Sequence, residues 1–506
     1  MKNVLEYLEL SAEKYPDKTA VSDEKGEYTY SRLVDLGKRI GSALASIIGT
    51  GEGVGVFAEK SADVLSAFFG IVYAGGFYSM LNPSLPHERL KQIQSVLGAR
   101  VIVTTRENYD LATELFEGSK IFVINDLQSA DIDEKSLDEI RKRAVDTDPL
   151  YANFTSGSTG VPKGVLVSHR SVIDFIDVFT DLFSINSDDV IGNQAPFDFD
   201  VSVKDIYSCI KTGARLVIIP KSLFSSPAPL LDYICDNKVT TMIWAVSALC
   251  LISTFHALDY KIPETVNKIL FSGEVMPEKH LKSWMEHLPK AMFVNLYGPT
   301  EITCNCTYHI VDRNRNYENG LPIGKAFPNE DVFLLDGDNK KVTACDTAGQ
   351  ICVRGTALAL GYYNDPEQTA KAFVQNPLNP NYPELIYRTG DLGKYDENGD
   401  IFFCGRKDFQ IKHMGHRIEL EEIEKAMNAI SGIERCCCVF DSEKSKLYGF
   451  FIGELDKKEL HRRLQEHLPV FMIPGALRKV DSLPVTPNGK IDRKALLFSV
   501  KGKRNG

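Results

Sequence analysis

The chain has 506 residues, a formal net charge of −10, 43% hydrophobic residues and 25% charged residues. That length exceeds what one hydrophobic core sustains, so at least two domains are expected, and the composition is that of a folded rather than a disordered or fibrous chain. The acidic balance gives no electrostatic case for nucleic acid or anionic membrane as a main partner, and no segment approaches the roughly 20 apolar residues that span a bilayer.

From the N-terminus, Leu5, Leu8, Ala12 and Tyr15 fall at helical spacing, the pattern of an amphipathic helix docked on the body. The first eight residues lack the basic region and apolar core of a signal peptide. Apolar runs at 19–22 and 53–57 read as strands, 62–70 and 86–97 as helices, and 100–104 as the next strand. The alternation continues with a strand at 214–219, a helix at 230–237 and a strand at 240–244. It implies βαβ units and mostly parallel sheet.

From about 340 the character changes, and 349–353 and 400–404 read as strands of a smaller, partly antiparallel sheet. Beyond Gly405-Arg406-Lys407-Asp408 a strong helix covers 419–429, followed by an apolar strand holding Cys436, Cys437 and Cys438. With no long linker, the boundary is read as a hinge at Asp408 between domains 1–406 and 407–506. The 11 cysteines lack paired CxxC spacing, so they read as small hydrophobes in a reducing cytoplasmic protein rather than as a metal site.

Four segments carry chemistry. Thr155-Ser156-Gly157-Ser158-Thr159-Gly160-Val161-Pro162-Lys163 is a loop of hydroxyls and glycines between apolar runs, ending in lysine. Glycine lets backbone approach phosphate, hydroxyls and N–H groups donate to its oxygens, and lysine adds compact positive charge. The Walker A spacing is absent. Taken alone, the segment also reads as a flexible surface turn. Asn295-Leu296-Tyr297-Gly298-Pro299-Thr300-Glu301 joins an aromatic, a turn and a carboxylate. Tyr387-Arg388-Thr389-Gly390-Asp391 adds a second carboxylate, and Pro487-Asn488-Gly489-Lys490 a lysine on a turn.

In this order, the four segments resemble the adenylate-forming superfamily of amino-acid adenylation domains, acyl-CoA synthetases and luciferases. The resemblance runs from Tyr28-Thr29-Tyr30-Ser31-Arg32-Leu33 to Lys490. It implies an α/β fold, with a large N-terminal part of two α/β lobes plus a β-rich lobe and a small mobile C-terminal α/β domain. It also implies that Thr155, Ser156, Gly157, Ser158, Thr159, Gly160 and Lys163 hold the ATP phosphates. Tyr297 would stack on adenine near Asn295 and Gly298, Thr300 would lie by the α-phosphate, and Glu301 would help hold Mg²⁺. Asp391 would accept from the ribose hydroxyls beside Arg406, and Lys490 would reach the α-phosphate and the substrate carboxylate. Positioning and charge neutralisation would carry the transfer, with no protein nucleophile. Rotation about Asp408 would then withdraw Lys490 and bring the Gly415 loop to the entrance for a phosphopantetheine thiol.

The same resemblance assigns Asp200 to the α-ammonium of an amino acid, which argues against fatty and aryl acids. Val201, Lys204, Ser247, Leu270, Ser272, Leu296, Cys304 and Asn305 would line the side-chain pocket, a mixed set implying a small substrate. Two family readings compete. Asn193-Gln194-Ala195-Pro196 and Phe271-Ser272-Gly273-Glu274 are similar to D-alanine–carrier protein ligases, where Ser272 is usually cysteine. Asp200, Val201, Leu270, Ser272 and Leu296 are similar to serine- or cysteine-activating peptide-synthetase domains. Lys204 departs from both. With no carrier-domain motif after Lys490, the expected acceptor is a separate carrier protein, and the expected enzyme a monomer of the D-alanine ligase type. An acyl- or aryl-CoA synthetase and a silent carrier-binding module are the alternatives.

Overall fold

The computed structural model describes residues 1–157, 160–317, 320–407, 410–485 and 491–501. The chain divides into two compact units. One comprises Met1–Asn82, Leu97–Asn153 and Gly164–Lys407; the other comprises Pro83–Val96, Phe154–Lys163 and Asp408–Gly506.

The first unit is built on three sheets. The largest has nine strands in the order Lys325–Ala326, Thr307–Ile310, Met292–Tyr297, Lys268–Ser272, Thr241–Ala245, Val190–Asn193, Arg215–Ile218, Thr19–Asp23 and Gly26–Thr29. The strands from Met292–Tyr297 to Thr19–Asp23 pair in parallel, as the alternating apolar runs and helices predict. A seven-stranded sheet runs Gly361–Tyr362, Lys163–Ser168, Pro149–Thr155, Phe77–Leu81, Gly53–Phe57, Val101–Thr104 and Lys120–Val123, and its last five strands are parallel. Helix Ala62–Tyr73 is buried along its whole length, so its apolar residues run continuously instead of in a stripe.

The third sheet of this unit has six strands, and every one of its pairings is antiparallel, where the sequence suggested only a partly antiparallel sheet. Short connections such as 396–400, between Leu385–Tyr395 and Ile401–Arg406, leave no room for a crossover. The Tyr28-Thr29-Tyr30 segment belongs to the scaffold. Thr29 caps helix Tyr30–Leu44, and the buried Tyr30 hydroxyl donates to the Cys209 and Ala214 carbonyls.

In the second unit, a hairpin of Gln410–His413 and His416–Glu419 leads into helix Leu420–Ala429. A three-stranded sheet follows, made of Ile433–Asp441, Lys446–Gly453 and Ala476–Lys479. Cys436, Cys437 and Cys438 are buried in its first strand, and burial pushes the Cys436 and Cys437 thiols up to about 12. They are inert core groups rather than nucleophiles. No helix among the described residues is long and apolar enough to cross a membrane.

Candidate active site

In an open parallel sheet, side chains that serve chemistry gather beyond the carboxyl ends of the strands. Register puts Ser272 opposite Ala245 and Phe271 opposite Asn295, so Ser272, Ser247, Leu296 and Tyr297 reach the same edge of the nine-stranded sheet. The strand ending at Asn193 feeds the segment that carries Asp200 and helix Val201–Thr212.

At this edge a buried polar cluster forms around Asp391. One carboxylate oxygen accepts from the Tyr297 hydroxyl and the other from the Arg406 guanidinium. Asp391 and Tyr297 are both buried. Burial and the neighbouring carboxylate hold the Tyr297 phenol well above its ordinary range, so it stays a donor. Each oxygen of an ionised carboxylate accepts more than one hydrogen bond, so these contacts orient Asp391 and leave it acceptor capacity. The Asn295 amide is committed to the scaffold, donating to the Pro322 carbonyl at 2.8 Å.

Glu301, buried, accepts from the Tyr362 hydroxyl at 2.7 Å. Magnesium is commonly held by one or two carboxylates together with substrate phosphates, so a single oriented carboxylate fits that ion. Thr300, half-buried, opens the short helical turn Thr300–Ile302 that carries Glu301.

Gly298 is dictated by packing. A Cβ there would lie 2.4 Å from Asn305 Cα and 2.8 Å from the Cys304 carbonyl oxygen. The opposing segment is itself strained, with Thr303 at φ 42° and Cys304 at φ 78°. Non-glycine residues rarely hold such angles unless the surroundings enforce them, and functional sites are where they collect.

This strained segment meets the helix of Asp200 twice. The Cys304 thiol donates to the Asp200 carbonyl at 3.1 Å, and Lys204 Nζ donates to Asn305 Oδ1 at 2.6 Å. Lys204 is fully buried and Asn305 nearly so, with Val201, Leu270, Ser272, Leu296 and Cys304 also buried. Ser247, in the first turn of helix Val246–Thr254, is half-buried.

A second polar group lies behind this wall. Asp205 accepts from Asn193 Nδ2 at 2.7 Å, and Lys60 Nζ donates to Asn193 Oδ1 at 2.9 Å and to the Gln194 carbonyl at 3.0 Å. Burial raises the Asp205 carboxyl to about 7 and lowers the Lys60 ammonium to about 7. Sequence reasoning assigned no role to Lys60, Asn193, Asp205 or Tyr362. Asn193 and Asp205 are the two ends of the stretch 193–205 that the sequence singles out, whereas nothing local marks Lys60 or Tyr362.

The glycine-rich loop 155–163, expected to hold phosphates, belongs to the second unit. Gly157 is required there because a Cβ would meet the Val161 carbonyl oxygen at 2.1 Å. Gly160, at φ 82°, closes a turn by donating to the Gly157 carbonyl at 2.8 Å. Within the same unit the Ser156 hydroxyl donates to the Arg417 carbonyl at 2.7 Å, and Glu422 pairs with Arg89. Thr155 ends the strand Pro149–Thr155, and Lys163 begins Lys163–Ser168. Ser158, Thr159, Asp408 and Lys490 lie outside the described residues.

A buried carboxylate held by a tyrosine and an arginine thus sits by the carboxyl edge of a parallel sheet, with a glycine-rich loop elsewhere in the chain. The sequence model described as AMP-binding enzyme matches residues 8–363, and the chain belongs to that family. It is 33% identical over 509 residues to surfactin synthase subunit 1 of Bacillus subtilis (strain 168), covering 98% of this chain and 14% of that protein. It thus spans about a seventh of that relative. Among solved structures it is similar to the Vibrio cholerae adenylation domain AlmE, determined in complex with glycyl-adenosine-5'-phosphate. That match has a TM-score of 0.86 at 22% identity and covers 99% of this chain and 98% of the other. It is also similar to holo-PA1221, an NRPS protein containing adenylation and PCP domains, with a TM-score of 0.82 at 25% identity, covering 98% and 84%.

Proposed function

We propose that the chain activates a small amino acid with ATP, forming an aminoacyl-adenylate and releasing pyrophosphate, and then passes the aminoacyl group to the phosphopantetheine thiol of a carrier protein. The observation that carries this reading is the buried Asp391 carboxylate held by a tyrosine and an arginine. Asp391 is held by Tyr297 and Arg406 in a way that suits a ribose acceptor, while the resemblance assigns the Asp200 carboxylate to the α-ammonium. The glycyl-adenylate in AlmE and the carrier domain in PA1221 support the amino-acid and carrier parts respectively.

In the first half-reaction, the substrate carboxylate attacks the α-phosphorus and pyrophosphate leaves. The chain's own contribution is to fix geometry and charge. Tyr297 offers its ring to adenine while its hydroxyl orients Asp391. Arg406 offsets the Asp391 charge. Glu301, aligned by Tyr362, would hold Mg²⁺, which when bound neutralises phosphate charge. Lys490, by resemblance, neutralises the α-phosphate and substrate carboxylate. The hinge at Asp408 and the 1–406 and 407–506 domains are part of the same proposal, serving the thiol-transfer step.

An ATP–pyrophosphate exchange panel with D-alanine, L-alanine, glycine, L-serine, L-threonine, L-cysteine and acidic amino acids tests the reading. Exchange with at least one of them, abolished in Lys490→Ala with ATP binding retained, is the expected result. Undiminished exchange in Lys490→Ala would remove that lysine from the chemistry. Exchange with no amino acid would refute amino-acid activation altogether. D-alanine and L-serine are the substrates that the two family resemblances favour.

A further inference from the structure

Lys60 lies between strand Gly53–Phe57 of the seven-stranded sheet and helix Ala62–Tyr73. Its ammonium reaches the nine-stranded sheet, 133 positions away in sequence. It donates to the Asn193 carbonyl at 3.2 Å, to Asn193 Oδ1 at 2.9 Å and to the Gln194 carbonyl at 3.0 Å. An ammonium carries three donors and no acceptor, so two consecutive residues saturate this one. They are the last residue of strand Val190–Asn193 and the first of the connection 194–200, which ends at Asp200 where helix Val201–Thr212 begins.

Asn193, fully buried, extends the tie. With Oδ1 taken by Lys60, its Nδ2 donates to the Ala195 carbonyl at 3.1 Å and to Asp205 Oδ2 at 2.7 Å. One amide thus links the start of the connection to the helix beyond its end. Burial opposes ionisation of Asp205, while the Asn193 amide and the Lys204 and Lys60 charges favour it. Beside Asn193, Gln194 Oε1 accepts from the Ala245 N–H at 3.3 Å, at the carboxyl end of strand Thr241–Ala245 and two residues before Ser247.

Removing the ammonium would strip the donor from a buried amide oxygen and two main-chain carbonyls at once, and unmet acceptors of this kind are relieved by local shifts of the chain that bears them. The chain that bears them leads to Asp200 and abuts the strand before Ser247. The Asp391 cluster, by contrast, is held by Tyr297 and Arg406. We propose that Lys60 is a positioning residue for the amino-acid half of the site, acting through Asn193 and Gln194 to set where the Asp200 connection and the Ser247 turn stand. This rests on the amino-acid reading above, in which the resemblance assigns Asp200 to the α-ammonium.

The test is pyrophosphate exchange by the full chain with the amino acid that the wild type activates best, resolved into KM for the amino acid and KM for ATP. Lys60→Met keeps the aliphatic stem and removes all three donors. KM for the amino acid should rise roughly tenfold or more while KM for ATP stays within about twofold, since a misplaced wall weakens only the ligand that it holds. Partial loss of folded enzyme lowers the maximal rate and leaves both KM values where they were, so a purely structural role does not produce this split. Lys60→Arg, which restores a charged donor, should show a smaller rise of the same one-sided kind. An amino-acid KM unchanged in whichever of these variants folds overturns the proposal, as does an equal rise in both KM values. Exchange with no amino acid in the wild type overturns the adenylation reading and this inference with it.

Discussion

Gly298→Ala is the sharpest single perturbation that the site offers. The added Cβ would lie 2.4 Å from Asn305 Cα, 2.8 Å from the Cys304 oxygen and 2.9 Å from the Cys306 nitrogen. Carbon atoms settle at about 3.5–4.0 Å, so the two segments must part by roughly 1 Å. No side chain can rotate away, because all three atoms are backbone. The opposing segment is also held by the Cys306 N–H on the Tyr297 carbonyl at 2.8 Å and by Lys204 on Asn305. Overpacking of this kind costs about 1–3 kcal/mol of stability. A displacement of about 1 Å in a positioning wall costs on the order of 100-fold in rate. Thermal unfolding should therefore fall by several degrees, while pyrophosphate exchange falls by far more than the lost folded fraction. Wild-type exchange together with a wild-type melting temperature would show that the close approach is not what fixes the wall.

Two further perturbations address groups that the motifs did not mark. The Asp205 carboxyl moves from an ordinary 3.8 to about 7 on folding, so the folded chain binds the extra proton and stability falls as pH rises from about 4 to 7. Lys60, lowered from 10.5 to about 7, acts oppositely, and its share of stability is recovered as pH rises from 7 to about 10.5. Asp205→Asn should flatten the lower limb of the melting-temperature profile and start the upper limb at lower pH, because the Asp205 charge helps keep the Lys60 ammonium protonated; parallel profiles would contradict the assignment. In the second unit, Arg89→Met strands a buried Glu422, whose carboxyl burial already raises. Breaking such a pair costs about 3–5 kcal/mol. Hydrogen exchange should accelerate in 154–157 and 420–429, with part of the loss recovered by adding Glu422→Gln; unchanged exchange would mean that the pair holds nothing in place.

Sequence by itself determined the parts of this protein that depend on local chemistry. The alternating strands and helices up to about 310 follow from hydrophobic period, whereas the fold requires Gly157 because of the nearby Val161 carbonyl and favours glycine at 160 through its positive φ. The order of four motifs was enough to indicate the family. Local pattern did less well on the sheet beyond 340, because antiparallel pairing depends on connection length and register rather than on composition.

Only the tertiary structure decided which of the marked residues act as a group. Tyr297, Asp391 and Arg406 are separated by up to 109 positions, yet share one carboxylate, because neighbouring parts of two sheets bring them together. Tyr362 reaches Glu301, and Lys60 reaches the Asn193–Asp205 pair, through contacts that no spacing rule encodes. Lys204 illustrates the division most directly. In the sequence only the family resemblance places it in a pocket, since by type it is a residue that is normally solvated. In the fold it is fully buried, and its Nζ donates to Asn305 Oδ1 at 2.6 Å. Burial and partners are properties of the packed chain, and the identity of a residue does not announce them.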